Sequence, residues 1–253
     1  MCYNTVMGTS ERKERGRAER ERRILQVGRQ MLVAHGYRGL SMDRIAAEIE
    51  YSKGIVYQHF SSKEDLLCAI SVDLLTEGMG FFRRASQFSG RARERLTAVA
   101  VASQLLLRLN PDGFQAQLII WVNSIADKAP QERQASLGHL QSELVEILTG
   151  LVQDAVRRKE LVLPADFVPP GLVHGMWAML IGNELLAQAG RTAADFKSLE
   201  LGAVTRRNLQ ILWDGFGWKP FSTKWDYEAT VRRVLDEVFA QEHEKLLKMG
   251  QTL

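Results

Sequence analysis

Cysteine is scarce: the 253-residue chain has two, Cys2 and Cys68, far apart and without metal-ligand spacing. That excludes a disulfide framework and makes the reducing cytoplasm the expected compartment. No apolar run approaches the roughly 18 residues a membrane span requires, so no membrane partner is expected. Residues 1–10 lack an apolar core and lead into arginine-rich sequence, which is not the pattern of a secretory signal. Alternating apolar–polar stretches of useful length are missing, as are internal repeats.

Catalytic signatures are missing too. There is no phosphate loop, nucleophile elbow or zinc-binding helix motif. Glu242, His243 and Glu244 are consecutive on a polar helix and so point in different directions, a poor metal site. Gly215-Phe216-Gly217 has no strand before it and therefore carries no dinucleotide signal. No catalytic residue, no metal and no cofactor are expected.

What is present is a globular balance of 45% hydrophobic and 25% charged residues, enough for one large or two smaller domains. The net charge of +3 is unevenly placed: residues 1–70 carry 12 Lys/Arg against 9 Asp/Glu, and the remainder carries 21 of each. A basic head on a neutral body points to a polyanionic partner for the head.

The periodicity is helical throughout, giving an all-α fold. Ile24, Leu25, Gly28, Met31 and Leu32 mark one buried face, and Gly36 stops that helix. Ser41, Ser52 and Ser62 stand as N-caps of the next three helices, the third opening with Glu64 and Asp65 at its positive end. Longer helices are predicted over residues 91–109, 114–127, 130–159, 171–189, 201–213 and 227–248, with Pro111, Pro130, Pro164, Pro169 and Pro170 as punctuation.

Two short helices joined by a tight turn, ahead of a third capped helix, read as a helix-turn-helix whose second member fits a major groove about 12 Å wide. Ile45, Ala46, Ile49 and Val56 form the packing side. Ser52, Lys53, Gly54, Tyr57, Gln58 and His59 form the DNA side. Gly54 lets backbone approach DNA, Tyr57 and His59 offer hydrogen bonds to phosphate, and Gln58 can read adenine through two hydrogen bonds. Lys63 adds a cation and a helix start for phosphate, and Ser41 joins the set at the preceding cap.

These residues carry a resemblance. Gly36-Tyr37, then Ser41-Met42-Asp43-Arg44-Ile45-Ala46, then Ser52-Lys53-Gly54-Ile55-Val56-Tyr57-Gln58-His59-Phe60 and Ser62-Lys63-Glu64-Asp65-Leu66, resemble the DNA-binding domain of the tetracycline-repressor (TetR) family over about a quarter of the chain. The resemblance implies an N-terminal DNA-binding domain followed by a larger helical domain for effector binding and dimerisation. It also implies a double-stranded DNA operator, a homodimeric partner and a small-molecule effector. One position departs: the family usually has Gly in the helix-turn-helix turn, where this chain has Glu50-Tyr51. Either Glu50 adopts a left-handed conformation at roughly 1 kcal/mol, or the turn is built differently.

The expected organisation is a flexible basic arm over 1–18, the helix-turn-helix domain over 19–66 and the helical domain over 67–253. Residues 11–23 hold 7 basic and 4 acidic side chains. They read either as an arm that reaches DNA or, preferred here, as a solvated extension of the first helix with Glu19 and Arg23 at i,i+4.

In the larger domain, Gly171, Gly175, Ala178 and Gly182 form one stripe of small residues, which permits close helix approach. It reads as a dimer seam or as the centre of one monomer's core, with Val231, Val234, Leu235 and Val238 able to pack beside it. Gln117, Trp121, Trp177 and Asn183 are the candidate ligand lining, either as ligand contacts or as ordinary core. With no charge among them, a neutral, hydrophobic effector is expected. The function implied is a ligand-responsive repressor that binds a palindromic operator as a homodimer. The alternative is a helical protein-binding adaptor whose helix-turn-helix no longer reads DNA.

Overall fold

The structure, a computed structural model, describes residues 9–188 and 200–253. Among these residues it contains eleven α-helices and no strand. In chain order they are α1 (Thr9–Gly39), α2 (Met42–Glu48), α3 (Lys53–His59), α4 (Lys63–Ser86), α5 (Ala92–Leu109), α6 (Pro111–Val122), α7 (Gln131–Arg157), α8 (Pro169–Gln188), α9 (Leu201–Gly215), α10 (Tyr227–Glu237) and α11 (Ala240–Lys248). The all-α expectation holds.

The start signals act as local chemistry requires. Ser41 Oγ accepts the Arg44 backbone N–H at 3.2 Å, Ser52 Oγ that of Ile55 at 3.4 Å, and Ser62 Oγ that of Asp65 at 3.1 Å. Each satisfies a helix-end donor that has no partner within the helix. Gly36 takes φ 66° and kinks α1 near its end, a conformation that costs glycine little.

The chain divides into two compact units: Met1–Leu75 with Asp112–Gly138, and Thr76–Pro111 with His139–Leu253. The sequence-expected boundary after residue 66 differs from this division, because residues 112–138 are part of the first unit. The helices around Ile24, Ile45, Val56 and Leu66 leave apolar surface that Ala116, Ile120 and Ile125 join in covering. Gly28 lets α1 lie close to α4: a Cβ there would meet Leu66 and Ile70 methyls at 3.3 Å.

In the second unit, α8, α9, α10 and α11 all pack against α5. Arg93 of α5 is fully buried. Its guanidinium lies 2.8 Å from Asp214 and donates to the Gln210 side chain and to the backbone carbonyls of Gln210, Trp218 and Pro220. A buried cation is tolerable only with such complete pairing. Burial also pushes the Tyr227 phenol well above its ordinary pKa, and its hydroxyl donates to the Pro220 carbonyl at 2.7 Å.

From Thr9 onward the N-terminal segment is helical and continuous with α1, which agrees with the preferred reading of residues 11–23 as a helix extension and not with the flexible arm. Two further local expectations are corrected. The helix expected to reach residue 127 ends at Val122, and Ser124 beyond it has φ 48°. The single helix expected over 227–248 is broken at Val238 and Phe239. There Arg84 donates to the Val238 carbonyl at 3.4 Å and to Glu242 at 2.6 Å. A guanidinium thus stands where the helical ladder lapses. The far end of the 171–189 prediction, Ala189, lies outside the described residues.

Candidate nucleic-acid interface

The α2–α3 pair is seated by Ile45, Ala46 and Ile49 on one helix and Val56 on the other, all buried. The turn between them resolves the question raised by Glu50, which adopts φ 59°. The Tyr51 N–H donates to the Ala46 carbonyl at 2.9 Å and the Glu50 N–H to that of Ala47 at 3.2 Å. This six-to-one and five-to-two pairing is a Schellman closure of α2. Tyr51 packs half-buried on the core that contains Ala46, supplying the apolar contact that accompanies such closures. Glu50 bears the left-handed strain, and the turn is otherwise regular.

With the packing side fixed, Ser52, Lys53, Gly54, Tyr57 and Gln58 are exposed along α3. Tyr57 is 50% accessible, an amphipathic ring held out on a short helix. A Cβ at Gly54 would meet only Ser52 Oγ, at 3.9 Å, so bare backbone faces outward there. The Lys53 ammonium pairs with Asp43 at 2.5 Å, both side chains being largely exposed. Such a surface pair contributes about 0–1 kcal/mol and yields readily to a phosphate. Ser41 and Ser52 accept hydrogen bonds as caps, which leaves each hydroxyl proton available to donate.

Two expected contacts are placed differently. The His59 side chain is only 4% exposed, with Nδ1 3.8 Å from Glu21 of α1 and without a hydrogen bond. It lies against α1 and not on the exposed face, because α3 ends at His59 and the chain turns inward to bury Phe60. Burial lowers its pKa, Glu21 draws it back up, and Arg17 and Arg20 push it down. Lys63 donates to the Tyr37 carbonyl and lies 4.0 Å over the Tyr37 ring, while the Tyr37 hydroxyl donates to Glu64 at 2.8 Å. Lys63 therefore fastens the start of α4 to the end of α1, and burial lowers its pKa despite Glu64.

Sequence reasoning did not find Arg44, which donates to the Gly39 carbonyl at 2.9 Å from an exposed position. Its place three residues after the Ser41 cap was the available signal. Nor did it find Arg133, whose Nε donates to Asp65 at 3.1 Å and whose guanidinium lies 5.6 Å over Phe60. No local pattern links those positions.

The remaining candidates are not residues of α2 or α3. Gln117 Oε1 accepts from Ser71 Oγ at 2.9 Å, and Trp121 is 39% exposed; both belong to the first unit. Trp177 and Asn183 belong to the second. Asn183 lines a cavity of about 200 Å³ with Gln104, Arg108, Leu180, Glu184 and Thr205, so charged groups do stand beside it. On α8, Leu172, Val173, Met176 and Leu180 are buried, whereas Ala178 is exposed. A Cβ at Gly175 or Gly182 would meet nothing within 4 Å, and one at Gly171 would meet the Phe167 ring at 3.1 Å. The small-residue stripe thus lies on the outward side of α8, opposite its core side. Among the described residues no cluster of His, Cys, Asp and Glu is placed to hold a metal ion, and no helix is long and apolar enough to cross a membrane.

A short capped helix held out by its neighbour, with polar side chains along the free side, defines a helix-turn-helix module. Residues 24–70 match the family model of bacterial regulatory proteins of the tetR family. The HTH-type transcriptional activator FasR of Mycolicibacterium smegmatis is 37% identical over 102 residues, covering 39% of this chain and 45% of that protein. The HTH-type transcriptional regulator Rv1816 of Mycobacterium tuberculosis is 31% identical over 77 residues, covering 30% of this chain and 32% of that protein. The chain therefore spans less than half the length of these curated relatives. Among solved structures, a gamma-butyrolactone receptor described as ArpA-like shares the fold with TM-score 0.61 at 21% identity, over 87% of this chain and 99% of that one. A tetR-family regulatory protein from Rhodococcus RHA1 aligns with TM-score 0.59 at 17% identity, over 78% and 96%. Over residues 24–70 the chain carries the helix-turn-helix module of the tetR family of bacterial regulatory proteins, and beyond it the described residues share the fold of these solved structures.

Proposed function

We propose that this protein is a ligand-responsive transcriptional regulator that binds a palindromic operator as a homodimer. The observation that carries the reading is the free face of α3, where Ser52, Lys53, Gly54, Tyr57 and Gln58 stand exposed on a helix seated by buried Ile45 and Val56. Tyr57, Lys53 and the caps address phosphate, and Gln58 addresses a base edge. Two such helices in a twofold dimer meet successive major grooves about 34–36 Å apart. The outward stripe of Gly171, Gly175, Ala178 and Gly182 is the proposed dimer seam. Occupying an operator that overlaps a promoter excludes polymerase, so repression is the proposed sign; the relative FasR is named an activator.

The second unit is the proposed effector domain, with Trp177 and Asn183 of α8 as its ligand-facing candidates. The receptor that shares this fold is named for a small molecule, gamma-butyrolactone. Because Arg108 and Glu184 line the cavity beside Asn183, the effector proposed is hydrophobic in its body with one polar end. It acts by preferring the conformer that cannot bind DNA. An irregular helix-turn-helix turn would favour the adaptor alternative; the Glu50 turn, closed by the Tyr51 and Glu50 N–H groups, gives it no such support.

The test is selection of bound fragments from sheared genomic DNA by the purified protein at moderate salt. Recovery of a palindromic site, lost in Tyr57→Ala and Gln58→Ala variants, supports the reading. Salt-sensitive retention with no sequence preference overturns it.

A further inference from the structure

We propose that the N-terminal half of α1 is a second DNA-contact element, a basic stripe that grips backbone phosphates beside the groove entered by α3. The inference rests on the proposed function and goes beyond it by assigning a surface outside the helix-turn-helix. Residues 11–23 hold 7 basic and 4 acidic side chains, an excess equal to the net charge of the whole chain, +3. From Thr9 these residues are helical, so their phase is fixed. At about 100° per residue, Lys13, Arg17 and Arg20 fall within about 60° of one another. They continue the line of Ile24 and Met31, the face by which α1 packs in the first unit. Glu14 and Glu19 fall on other sides of the helix, and Glu21, about 40° from Arg17 at the edge of the stripe, is turned to His59 and Arg133.

The stripe is free and well placed. Among the described residues, Lys13, Arg17 and Arg20 have no carboxylate within ion-pair distance, whereas Arg22, off the stripe, pairs with Glu19 at 2.8 Å. Glu21, one residue beyond Arg20, lies 3.8 Å from His59, the last residue of α3, and the charges of Arg17 and Arg20 are felt at that imidazole. The Arg20 end of the stripe therefore lies near His59, where α3 ends, and the stripe runs from there toward the N-terminus of α1. Lys13 to Arg20 spans about 10 Å of helix axis, about the rise of three phosphates on one strand. A rigid helix presenting three unpaired cations at that spacing fits a phosphate backbone. It does not fit a base edge, so this element strengthens binding without reading sequence.

The experiment measures operator affinity of the full chain against salt for Lys13→Gln/Arg17→Gln/Arg20→Gln, with Arg22→Gln and Tyr57→Ala as comparisons. Glutamine keeps the helix, which circular dichroism verifies. The triple variant is expected to bind at least ten-fold more weakly at moderate salt. Its slope of log K against log salt becomes shallower by about 0.9 for each phosphate that is no longer neutralised. Its preferred sequence stays the same, and phosphate-ethylation interference disappears at the outer positions only. Arg22→Gln keeps the parental slope. If the triple variant keeps both slope and affinity while Tyr57→Ala loses the operator, the stripe is merely solvated and the inference is overturned with the function intact. If Tyr57→Ala also changes nothing, the helix-turn-helix reading fails and this inference falls with it.

Discussion

Arg133, near the start of α7, donates through Nε to Oδ1 of Asp65 at 3.1 Å, although 68 residues separate them. The other oxygen of Asp65 accepts the backbone N–H and the hydroxyl of Ser61 at 2.9 and 3.0 Å. One buried carboxylate thus ties the α3–α4 joint to a distant segment of the same unit, and Phe60 lies beneath the guanidinium. Removing it strands an N–H, a hydroxyl and a cation together. Asp65→Ala is expected to destabilise the first unit by about 2–4 kcal/mol. Asp65→Asn should recover part of that by keeping one acceptor. Urea unfolding followed by circular dichroism measures both, and equal stability of Asp65→Ala and the parent would show that the network contributes nothing.

Glu50 carries left-handed strain that no hydrogen bond requires of a glutamate side chain. Glu50→Gly removes a penalty of about 1–2 kcal/mol and returns part of it through the freer unfolded chain. The expected net gain is about 0.5–1 kcal/mol, read as a higher denaturation midpoint at unchanged m-value. Operator affinity should not change, because the turn's backbone pairing is already that of a regular closure. A lower midpoint would mean that the Glu50 side chain contributes more than its backbone costs.

These two sites show what the sequence makes legible. Caps at Ser41, Ser52 and Ser62 are settled by groups three residues apart, so composition and spacing reveal them. The stripe on α8 is equally legible as a stripe, but whether it faces the core or solvent depends on which helices cover Leu172 and Met176. His59 could be placed at the end of α3 and not oriented, because its orientation depends on Glu21 of another helix. The break at Phe239 was hidden for a different reason: Val231, Leu235, Phe239 and Leu246 stay in helical phase across it, and only Arg84 reveals it.

His59 gives the fold a pH response of definite sign. Burial lowers its pKa from the ordinary 6.5, with Arg17 and Arg20 adding to the effect and Glu21 opposing it. The folded state thus binds this proton less readily than the unfolded state. Its contribution to stability is complete above pH 6.5 and is lost as pH falls through that value toward the lowered folded pKa. Unfolding of the parent and of His59→Gln at pH 7.5 and 5.5 isolates the effect: the parent should lose more stability than the variant. An identical loss in both would place the response on other groups.

The outward side of α8 makes a prediction about assembly. Leu185 and Leu186 are 47% and 62% exposed, close to Gly182, whose Cβ position is open. On α9, Ile211 is 55% exposed. A monomer gains nothing by keeping large aliphatic side chains next to bare glycines in water, whereas a second copy would bury both at close helix separation. Placing a charge within such a seam leaves it desolvated and unpaired, at a cost of several kcal/mol in a twofold interface that repeats it. Leu186→Glu is therefore expected to shift sedimentation equilibrium toward monomer while leaving helicity unchanged. Operator affinity should fall with it, because a single recognition helix supplies only one half-site. A variant that remains dimeric would move the seam to another surface, and a monomeric parent would remove the dimer from the mechanism altogether.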